Sequence, residues 1–270
     1  MTHDYDLSQD DFYKSLENAT ASVTNEVAYR LTGHFAFQNI YATFGVTDEL
    51  RVTDVGCYTG GSTIRWLHTS RTLQPKTPLQ ILGFDVYEAT IAQANENYGG
   101  RAGLSFVHKP LAQALPLIND APYHLMFATF VLETITDYEQ VRTLCSQLVA
   151  GLLPQGEIYF LRLHPNALTY QGTFRDYRLR ERRPLTHGET FRVRLAGHNK
   201  EFLDHYWQPE ELSRFFTAQG CTVHLIPMSW DAPNAMTALL KQITAATRVE
   251  DTLPEWTVPL YQIIRVVKNA

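Results

Sequence analysis

The chain has 270 residues, of which 44% are hydrophobic and 12% aromatic, so it can bury a sizeable core and is not a disordered segment. Lysine and arginine number 23 against 28 aspartates and glutamates, which gives a formal charge of -5. This balance provides no general attraction to phosphate backbones or anionic lipids, so neither a nucleic acid nor a membrane is expected as a partner.

The three cysteines, Cys57, Cys145 and Cys221, stand far apart, and none belongs to a Cys-x-x-Cys pair. The ten histidines show no metal-ligand spacing either, so no metal site is expected. The N-terminus carries Asp4 and Asp10 where a signal peptide would need positive charge and an apolar stretch. We therefore expect a soluble, cytoplasmic protein.

In chain order, residues 8–45 contain two or three helical segments, which we expect to form a cap. From residue 50 onward, strand-like and helix-like patterns alternate, as is typical of a parallel sheet covered by helices. An amphipathic helix is predicted for residues 137–150. Parallel strands are predicted for five short apolar runs: residues 50–55, 80–85, 104–107, 124–128 and 158–163.

The last part of the chain predicts one further helix and two strands. The helix begins near Gln208, with Pro209 in its first turn and Gly220 just past its end. Strands are predicted for residues 222–226 and 259–267, and the last of them is expected to be antiparallel. The segment between them, residues 235–246, has a helical pattern.

A basic segment separates the fifth strand from this last part. Between residues 171 and 200, eight basic side chains face three acidic ones, so the segment has a formal charge of +5. We interpret it as an inserted lid. Its arginines, Arg178 among them, are either a solvated surface or a substrate site for a carboxylate, a phosphate or an acidic carrier protein.

The most informative stretch is residues 52–63, Val-Thr-Asp-Val-Gly-Cys-Tyr-Thr-Gly-Gly-Ser-Thr, which predicts a strand, a glycine turn and the start of a helix. Glycine allows positive φ and close backbone approach, and a helix N-terminus presents free N–H groups, so this turn is suited to binding a nucleotide. Twenty-five residues after Gly60, the second strand ends at Asp85, whose carboxylate could accept both hydroxyls of a ribose.

Asp54, Gly56 and Gly60 resemble the first motif of class I S-adenosylmethionine-dependent methyltransferases, an acidic residue followed by Gly-x-Gly-x-Gly, with Tyr58 in place of the middle glycine. The resemblance spans most of residues 50–163. It includes Asp85, residues 127–132 after the fourth strand, and the Leu-Leu-Pro-Gln-Gly turn at residues 152–156.

This resemblance implies a Rossmann-like, doubly wound α/β sheet of seven strands with the last strand antiparallel, and S-adenosyl-L-methionine as cofactor. Two positions depart from the family: the usual aspartate of the third motif falls on Leu111, and the usual Phe-Asp before the fourth strand is Tyr123-His124. We expect an adenine contact from the backbone around Leu111 and Ala112. The expected cofactor residues are Asp54, Gly56, Tyr58, Gly60, Asp85, Leu111, Ala112 and Thr129.

A nicotinamide-binding Rossmann enzyme is the main competing hypothesis, because Gly56, Tyr58 and Gly61 also have the spacing of Gly-x-Gly-x-x-Gly. Asp54 argues against it. A carboxylate two residues before the first glycine would repel a pyrophosphate, whereas it would help to order the loop around a cationic sulfonium.

Three side chains near the expected carboxyl edge of the sheet are candidate catalytic residues: Glu133, His164 and His205. Glu133 follows the fourth strand, and His164 follows the fifth, where a pKa near neutrality would suit proton removal. Both could instead have a structural role, Glu133 as a carboxylate at a helix start and His164 as a hydrogen-bonded loop histidine. His205 stands with Tyr206 at the end of the lid, and Tyr206 and Arg178 are the candidate substrate-binding residues.

The sequence therefore predicts an enzyme that transfers methyl to an O, N or C atom of a small molecule, which could be anionic or carrier-bound. The alternative is a protein of the same fold that binds the cofactor for a non-methylating reaction or for regulation. The expected divisions are a helical cap (1–48), a cofactor-binding core (49–164), a basic lid (165–205) and the remainder of the core (206–270).

Overall fold

Strands and helices alternate along the chain in the computed structural model, which describes residues 23–45, 49–109, 121–172, 174, 177–195, 201–229, 238, 241 and 258–270. The first half contains α1 (Val23–Phe44), β1 (Leu50–Val55), α2 (Gly61–Leu73), β2 (Leu79–Asp85), α3 (Glu88–Tyr98) and β3 (Leu104–His108). The middle contains β4 (Tyr123–Thr129), a 3-10 turn (Leu132–Thr134), α4 (Tyr138–Ala150), β5 (Leu152–Leu163) and α5 (Pro165–Thr169). The chain continues with β6 (Tyr177–Leu179), β7 (Glu189–Leu195), β8 (Glu201–Tyr206), α6 (Pro209–Ala218), β9 (Cys221–Pro227) and β10 (Tyr261–Lys268).

Seven of these strands form one sheet in the order β3-β2-β1-β4-β5-β10-β9. Strands β1 to β5 pair in parallel, and β10 lies antiparallel between β5 and β9. The carboxyl ends of β1, β2, β4 and β5 therefore meet at one edge of the sheet, where ligands of doubly wound folds bind.

The predicted strands of the large sheet correspond closely to the observed ones, whereas strands β6 to β8 and helix α5 were not predicted. Strand β5 begins at Leu152, six residues before the predicted start. Leu152 already pairs with Tyr123 of β4, and the register then shifts before Leu125. Gln155 adopts φ +64, so the stretch predicted as a turn is an irregular first part of the strand. The helices expected in residues 8–22 lie outside the described residues, and the one expected for 235–246 lies largely outside them.

Helix α1 packs on the sheet through its apolar side chains, because Val27, Leu31, Phe37 and Ile40 are fully buried against β4, β5 and α2. Helix α1 thus belongs to the same hydrophobic core as β1 and β4. None of the helices in the described ranges has the length and apolarity needed to cross a bilayer.

Strands β6, β7 and β8 form a separate antiparallel sheet within the segment expected to be a lid. The small sheet packs on the main core through Tyr177, Phe191 and Val193, and Asn25 adds a polar contact. Asn25 of α1 accepts a hydrogen bond from the Tyr177 hydroxyl of β6 at 2.9 Å and another from the Tyr261 hydroxyl of β10. The first helix, the small sheet and the last strand therefore share one polar contact.

Phe127 of β4 lies at the centre of the core and is fully buried. Its ring stacks on Trp66 at 4.1 Å between centroids and also contacts Phe37 and Tyr159 at 5.8 and 6.1 Å. We expect Phe127→Ala to lower the free energy of unfolding by about 3–5 kcal/mol, because truncation leaves a cavity among three rings.

Urea denaturation monitored by circular dichroism measures this loss. Phe215→Ala is the control, because the half-buried Phe215 ring lies at the periphery of α6, and we expect a cost of about 1 kcal/mol there. Equal losses in the two variants would contradict the central role of Phe127.

Candidate functional site

The turn between β1 and α2 has the backbone conformation expected of a Gly-x-Gly-x-Gly motif, although Tyr58 replaces the middle glycine of that motif. Gly56, Tyr58 and Gly60 all have positive φ, at +68, +52 and +86. A non-glycine residue in this region costs about 1–2 kcal/mol, so Tyr58 is held there against its preference. The altered middle position therefore keeps the shape of the turn.

Backbone hydrogen bonds fix this turn to the second strand. The N–H groups of Gly56 and Cys57 donate to the Phe84 carbonyl at 2.9 and 3.1 Å, and Gly60 N–H donates to the Cys57 carbonyl at 2.9 Å. The Tyr58 N–H donates to Asp85 Oδ2 at 2.9 Å. The end of β2 thus determines where the turn lies.

The packing of the protein itself disfavours any side chain at position 60. A Cβ at this position would lie 2.9 Å from the rings of both Phe106 and Tyr98. Gly60 is also the N-cap of α2, where it presents backbone rather than a side chain.

We expect Gly60→Ala to destabilise the fold more than Gly100→Ala. Gly100 has a similar φ of +79, but a Cβ at that position would have no atom within 4 Å, so it carries only the backbone cost of about 1–2 kcal/mol. The overpacking at Gly60 should add about 1–3 kcal/mol. Chemical denaturation of both variants measures the difference, and equal losses would show that the two rings move aside without cost.

Asp54 joins the end of β1 to the first turn of α2. Its carboxylate is fully buried, and Oδ2 accepts hydrogen bonds from Ser62 Oγ at 2.6 Å and Thr63 Oγ1 at 2.7 Å. Burial raises the pKa of Asp54 to about 6, against the opposing effect of these hydroxyls. The other oxygen, Oδ1, makes no hydrogen bond of normal geometry with the described residues. The Trp66 indole N–H lies close enough to this carboxylate to lower its pKa, so Trp66 also belongs to the surroundings of Asp54.

Asp85 stands at the end of β2, with 7% of its surface exposed. Besides the bond from Tyr58, its Oδ1 accepts from the Tyr87 N–H at 3.1 Å. Burial raises the pKa of Asp85, and these backbone N–H groups oppose the shift. Because each carboxylate oxygen has two acceptor positions, both oxygens can still accept from a ligand hydroxyl.

Thr129 ends β4 at the same edge, and α1 places an aromatic residue beside it that sequence reasoning missed. The Tyr29 ring lies 5.5 Å from Trp66 and 6.5 Å from Phe130, and the Arg65 guanidinium lies 5.5 Å from its centroid. Burial raises the pKa of the Tyr29 hydroxyl, and Thr129 opposes the shift. No motif marks a tyrosine in a helix as part of a strand-edge site.

Leu111 and Ala112, the expected adenine contacts, lie outside the described residues, so this contact stays a prediction.

Glu133 forms a buried ion pair with Arg162, a residue that sequence reasoning did not single out. The two side chains are 3% and 2% exposed, and Glu133 Oε1 lies 3.0 Å from Arg162 Nε. Arg162 Nη1 also donates to the Trp207 carbonyl at 2.7 Å. Burial raises the pKa of Glu133, and Arg162 opposes the shift. An arginine inside the otherwise apolar run 158–163 was the available signal.

Strand β8 brings three consecutive residues to this ion pair: Asp204, His205 and Tyr206. The Arg162 guanidinium lies 5.9 Å from the Tyr206 ring centroid. The buried His205 ring stacks on Trp207 at 5.9 Å, and burial lowers its pKa. Burial, and then the charge of Glu133, raise the pKa of the half-buried Asp204 to about 8, while Arg162 opposes the shift.

His164 has a different environment from the one expected. Its Nδ1 accepts a hydrogen bond from the Asn166 N–H at 3.0 Å, so the ring caps the short helix α5. Burial, and then the charge of Arg162, lower the pKa of His164 to about 4. The assumption of a pKa near neutrality is therefore wrong, and at neutral pH the ring is a weak base whose Nδ1 is already engaged.

We expect His164→Asn to be close to wild type in stability, because asparagine is a good N-cap, whereas His164→Ala should cost about 1 kcal/mol. Urea denaturation compares the two variants. In the wild type, an NMR titration of the imidazole should show a neutral ring from high pH down to about 4. A midpoint near 6.5 would contradict the buried capping role.

The lid arginines bind mainly within their own segment. Arg178 Nη1 donates to the carbonyls of Phe174 and Tyr177. Among the neighbours of Arg178, Arg182 donates to the Gln171 carbonyl at 2.6 Å, and Arg180 pairs with Glu201 at 3.4 Å. These contacts favour the interpretation of a solvated surface over that of an anion site.

No protein-family model matches the sequence, and no curated protein matches it either. Solved structures do match. The plantazolicin methyltransferase BpumL, crystallised with SAH and a pentazolic desmethylPZN analog, is 14% identical over 98% of this chain and 92% of its own, with a TM-score of 0.61. CalS10, an amino pentose methyltransferase from Micromonospora echinaspora in complex with SAM, is 15% identical over 96% of both chains, with a TM-score of 0.57.

A third structure, an S-adenosylmethionine-dependent methyltransferase from Mesorhizobium loti, is 18% identical over 85% of this chain and 95% of its own, with a TM-score of 0.51. The chain has the fold of S-adenosylmethionine-dependent methyltransferases. The predicted fold class is confirmed, including the seven strands and the antiparallel last strand.

Proposed function

We propose that this chain is an S-adenosyl-L-methionine-dependent methyltransferase that acts on a small molecule. The observation that carries the proposal is the pair of buried carboxylates at the carboxyl edge of the sheet. Asp85 is oriented by the glycine turn and can still accept hydrogen bonds, and the fully buried Asp54 holds the first turn of α2 against the end of β1. Two neighbours of the same fold, BpumL and CalS10, are described as bound to SAH or SAM.

The residues of this edge fit such a cofactor. Asp85 would accept the ribose hydroxyls, and Asp54 would stabilise the positively charged aminoacyl end, since a nearby positive charge favours the ionised form of a buried carboxylate. Gly56, Tyr58 and Gly60 would present backbone along the ligand, with Thr129 at the neighbouring strand end. When bound, this cofactor supplies an activated methyl group on a sulfonium.

The work of the chain is then to bind, orient and exclude water. We propose that residues 165–205 cover the acceptor as a lid and that residues 1–48 form the cap, with the core made of 49–164 and 206–270. The bond from Tyr177 to Asn25 supports this arrangement, because it joins the small sheet to the first helix beside the site. Closure of this kind would position the acceptor and keep out competing water.

Proton removal, where the acceptor needs it, falls to groups around Arg162. Glu133 and His205 are both buried there, and His205 Nδ1 makes no hydrogen bond with the described residues. His164 is less suited, because its Nδ1 is engaged and its pKa is about 4. Tyr206, which packs on Arg162, would contact the acceptor.

The acceptor is proposed to be a free small molecule. An anionic or carrier-bound acceptor would have to use lid arginines such as Arg178, whose described contacts are already to lid carbonyls. A cytoplasmic location is also proposed, supported by three cysteines that are all buried free thiols.

We expect Asp85→Asn to weaken binding of SAH about 10- to 150-fold, because it removes charged hydrogen bonds of about 1.5–3 kcal/mol. Isothermal titration calorimetry measures the affinity. Glu96→Gln is the matched control, since Glu96 is an exposed carboxylate on α3 outside the edge and should leave the affinity unchanged.

Incubation with labelled cofactor and a metabolite extract tests the activity. Transfer of label by the wild type, lost in Asp85→Asn and kept in Glu96→Gln, supports a methyltransferase. Tight SAH binding without transfer in any extract would instead favour a regulatory module, and absence of SAH binding by the wild type would refute the proposed function.

A further inference from the structure

The beginning of α1 contacts both the glycine turn and the small sheet. Asn25 and Glu26 are neighbours in the first turn of this helix, and Tyr29 lies about one helical turn further along. Their side chains contact α2, the end of β4, the start of β10 and strand β6. One short stretch of helix therefore joins parts of the proposed site that are far apart in sequence.

Glu26 connects α1 to the helix that follows the glycine turn. Its Oε2 accepts a hydrogen bond from Arg65 Nε at 2.8 Å, and Arg65 Nη1 donates to the Gly61 carbonyl at 2.7 Å. Gly61 follows Gly60 directly, so this chain of contacts reaches the turn itself. Because both charged side chains are partly exposed, the ion pair contributes mainly to position and little to stability.

Tyr29 connects α1 to the end of β4. Its ring lies 6.5 Å from Phe130, which follows Thr129 at the carboxyl edge, and 5.5 Å from Trp66 of α2. Phe130 has a φ of +55, which non-glycine residues rarely adopt and which is frequent at functional sites. The Phe130 ring also lies 5.8 Å from Tyr261 of β10. These rings thus link α1 to two strand ends of the carboxyl edge.

Asn25 connects α1 to the small sheet. Its Oδ1 accepts a hydrogen bond from the Tyr177 hydroxyl of β6 at 2.9 Å and another from the Tyr261 hydroxyl of β10. The two tyrosine rings pack edge to face at 5.9 Å and are almost completely buried. A hydrogen bond weakens steeply when its geometry changes, so the first turn of α1 and strand β6 fix each other's position.

The first turn of a helix depends on such outside contacts. Its N–H groups have no partners within the helix, and helix ends open more readily than helix middles. The contacts of Asn25, Glu26 and Tyr29 therefore share the work of keeping this turn ordered. A ligand that strengthens one of them also favours the others, because the turn is then ordered already.

We propose that Asn25 is a positioning residue that couples cofactor binding at the glycine turn to the placement of the small sheet. This coupling rests on the proposed function, since it takes the glycine turn as the cofactor site. The bound cofactor orders the first turn of α1 through Glu26 and Tyr29, and Asn25 then holds Tyr177. The acceptor accordingly binds after the cofactor, to an enzyme whose small sheet is already in place.

Hydrogen–deuterium exchange with and without saturating SAH tests the coupling. In the wild type, we expect SAH to slow exchange in residues 177–180 and 189–195 of the small sheet by about fivefold or more, as is typical of two coupled sites. Residues 221–227 of β9 are the internal reference, because β9 pairs with β10 and with neither α1 nor the small sheet. Exchange there should slow less.

Tyr177→Phe removes the hydrogen bond to Asn25 and keeps the buried ring. Exchange in residues 177–180 should become about 2- to 12-fold faster without SAH, as expected for the loss of one hydrogen bond. The additional slowing by SAH should disappear, although calorimetry should still show SAH binding. Asn25→Ala is the second variant and should behave in the same way.

Tyr170→Phe is the matched control, because it makes the same change in the segment that leads to the small sheet. The Tyr170 ring contacts Phe174 at 4.8 Å, and its hydroxyl makes no hydrogen bond with the described residues. This variant should keep the wild-type response to SAH, and loss of the response here would contradict the role of Asn25.

Two other results would overturn the coupling while leaving the proposed function intact. One is SAH binding to the wild type with no more slowing in the small sheet than in β9. The other is full slowing by SAH in Tyr177→Phe or Asn25→Ala, with circular dichroism showing a folded variant. Absence of SAH binding by the wild type would instead refute the proposed function, and the coupling with it.

Discussion

The contact on which the site depends is the buried carboxylate of Asp54, which holds the first turn of α2 against the end of β1 through Ser62 and Thr63. Burying this group raises its pKa to about 6, so the fold accepts an electrostatic cost at this position. These hydrogen bonds fix the path of the glycine turn between strand and helix, and Asp85 accepts a further hydrogen bond from the Tyr58 N–H of the turn. The cofactor half of the proposed site is thus built before any ligand arrives.

The sequence predicts the backbone path of this turn well because the information for it is local. The turn, its flanking strand and helix, and the acid at the end of the next strand lie within about 35 residues, and each follows from backbone geometry. The left-handed conformation survives at Tyr58, where the motif is broken, because its neighbours in the turn determine it. By contrast, the steric need for Gly60 arises from Phe106 and Tyr98, which no local pattern connects to it.

The ion pair of Arg162 with Glu133 and its surroundings could not be predicted in the same way, because these residues come together only through the fold. Arg162 lies in an apolar strand, Glu133 in a short turn and Asp204 in the small sheet. Their energetics depend on burial and mutual charge, which are properties of the assembled structure. The same reason explains His164: its place at the sheet edge follows from the sequence, but its low pKa comes from burial and the charge of Arg162.

The position of β10 affects how the protein is made. This strand follows all the others in chain order, yet it lies inside the sheet, between β5 and β9. On the ribosome, β9 therefore lacks its partner in this sheet until β10 has emerged, and that edge of β5 stays open. Tyr261 at the start of β10 also completes the contact with Asn25 that connects the small sheet to α1. Assembly of this side of the sheet thus waits for β10, whereas the strands and helices around the glycine turn are all synthesised earlier.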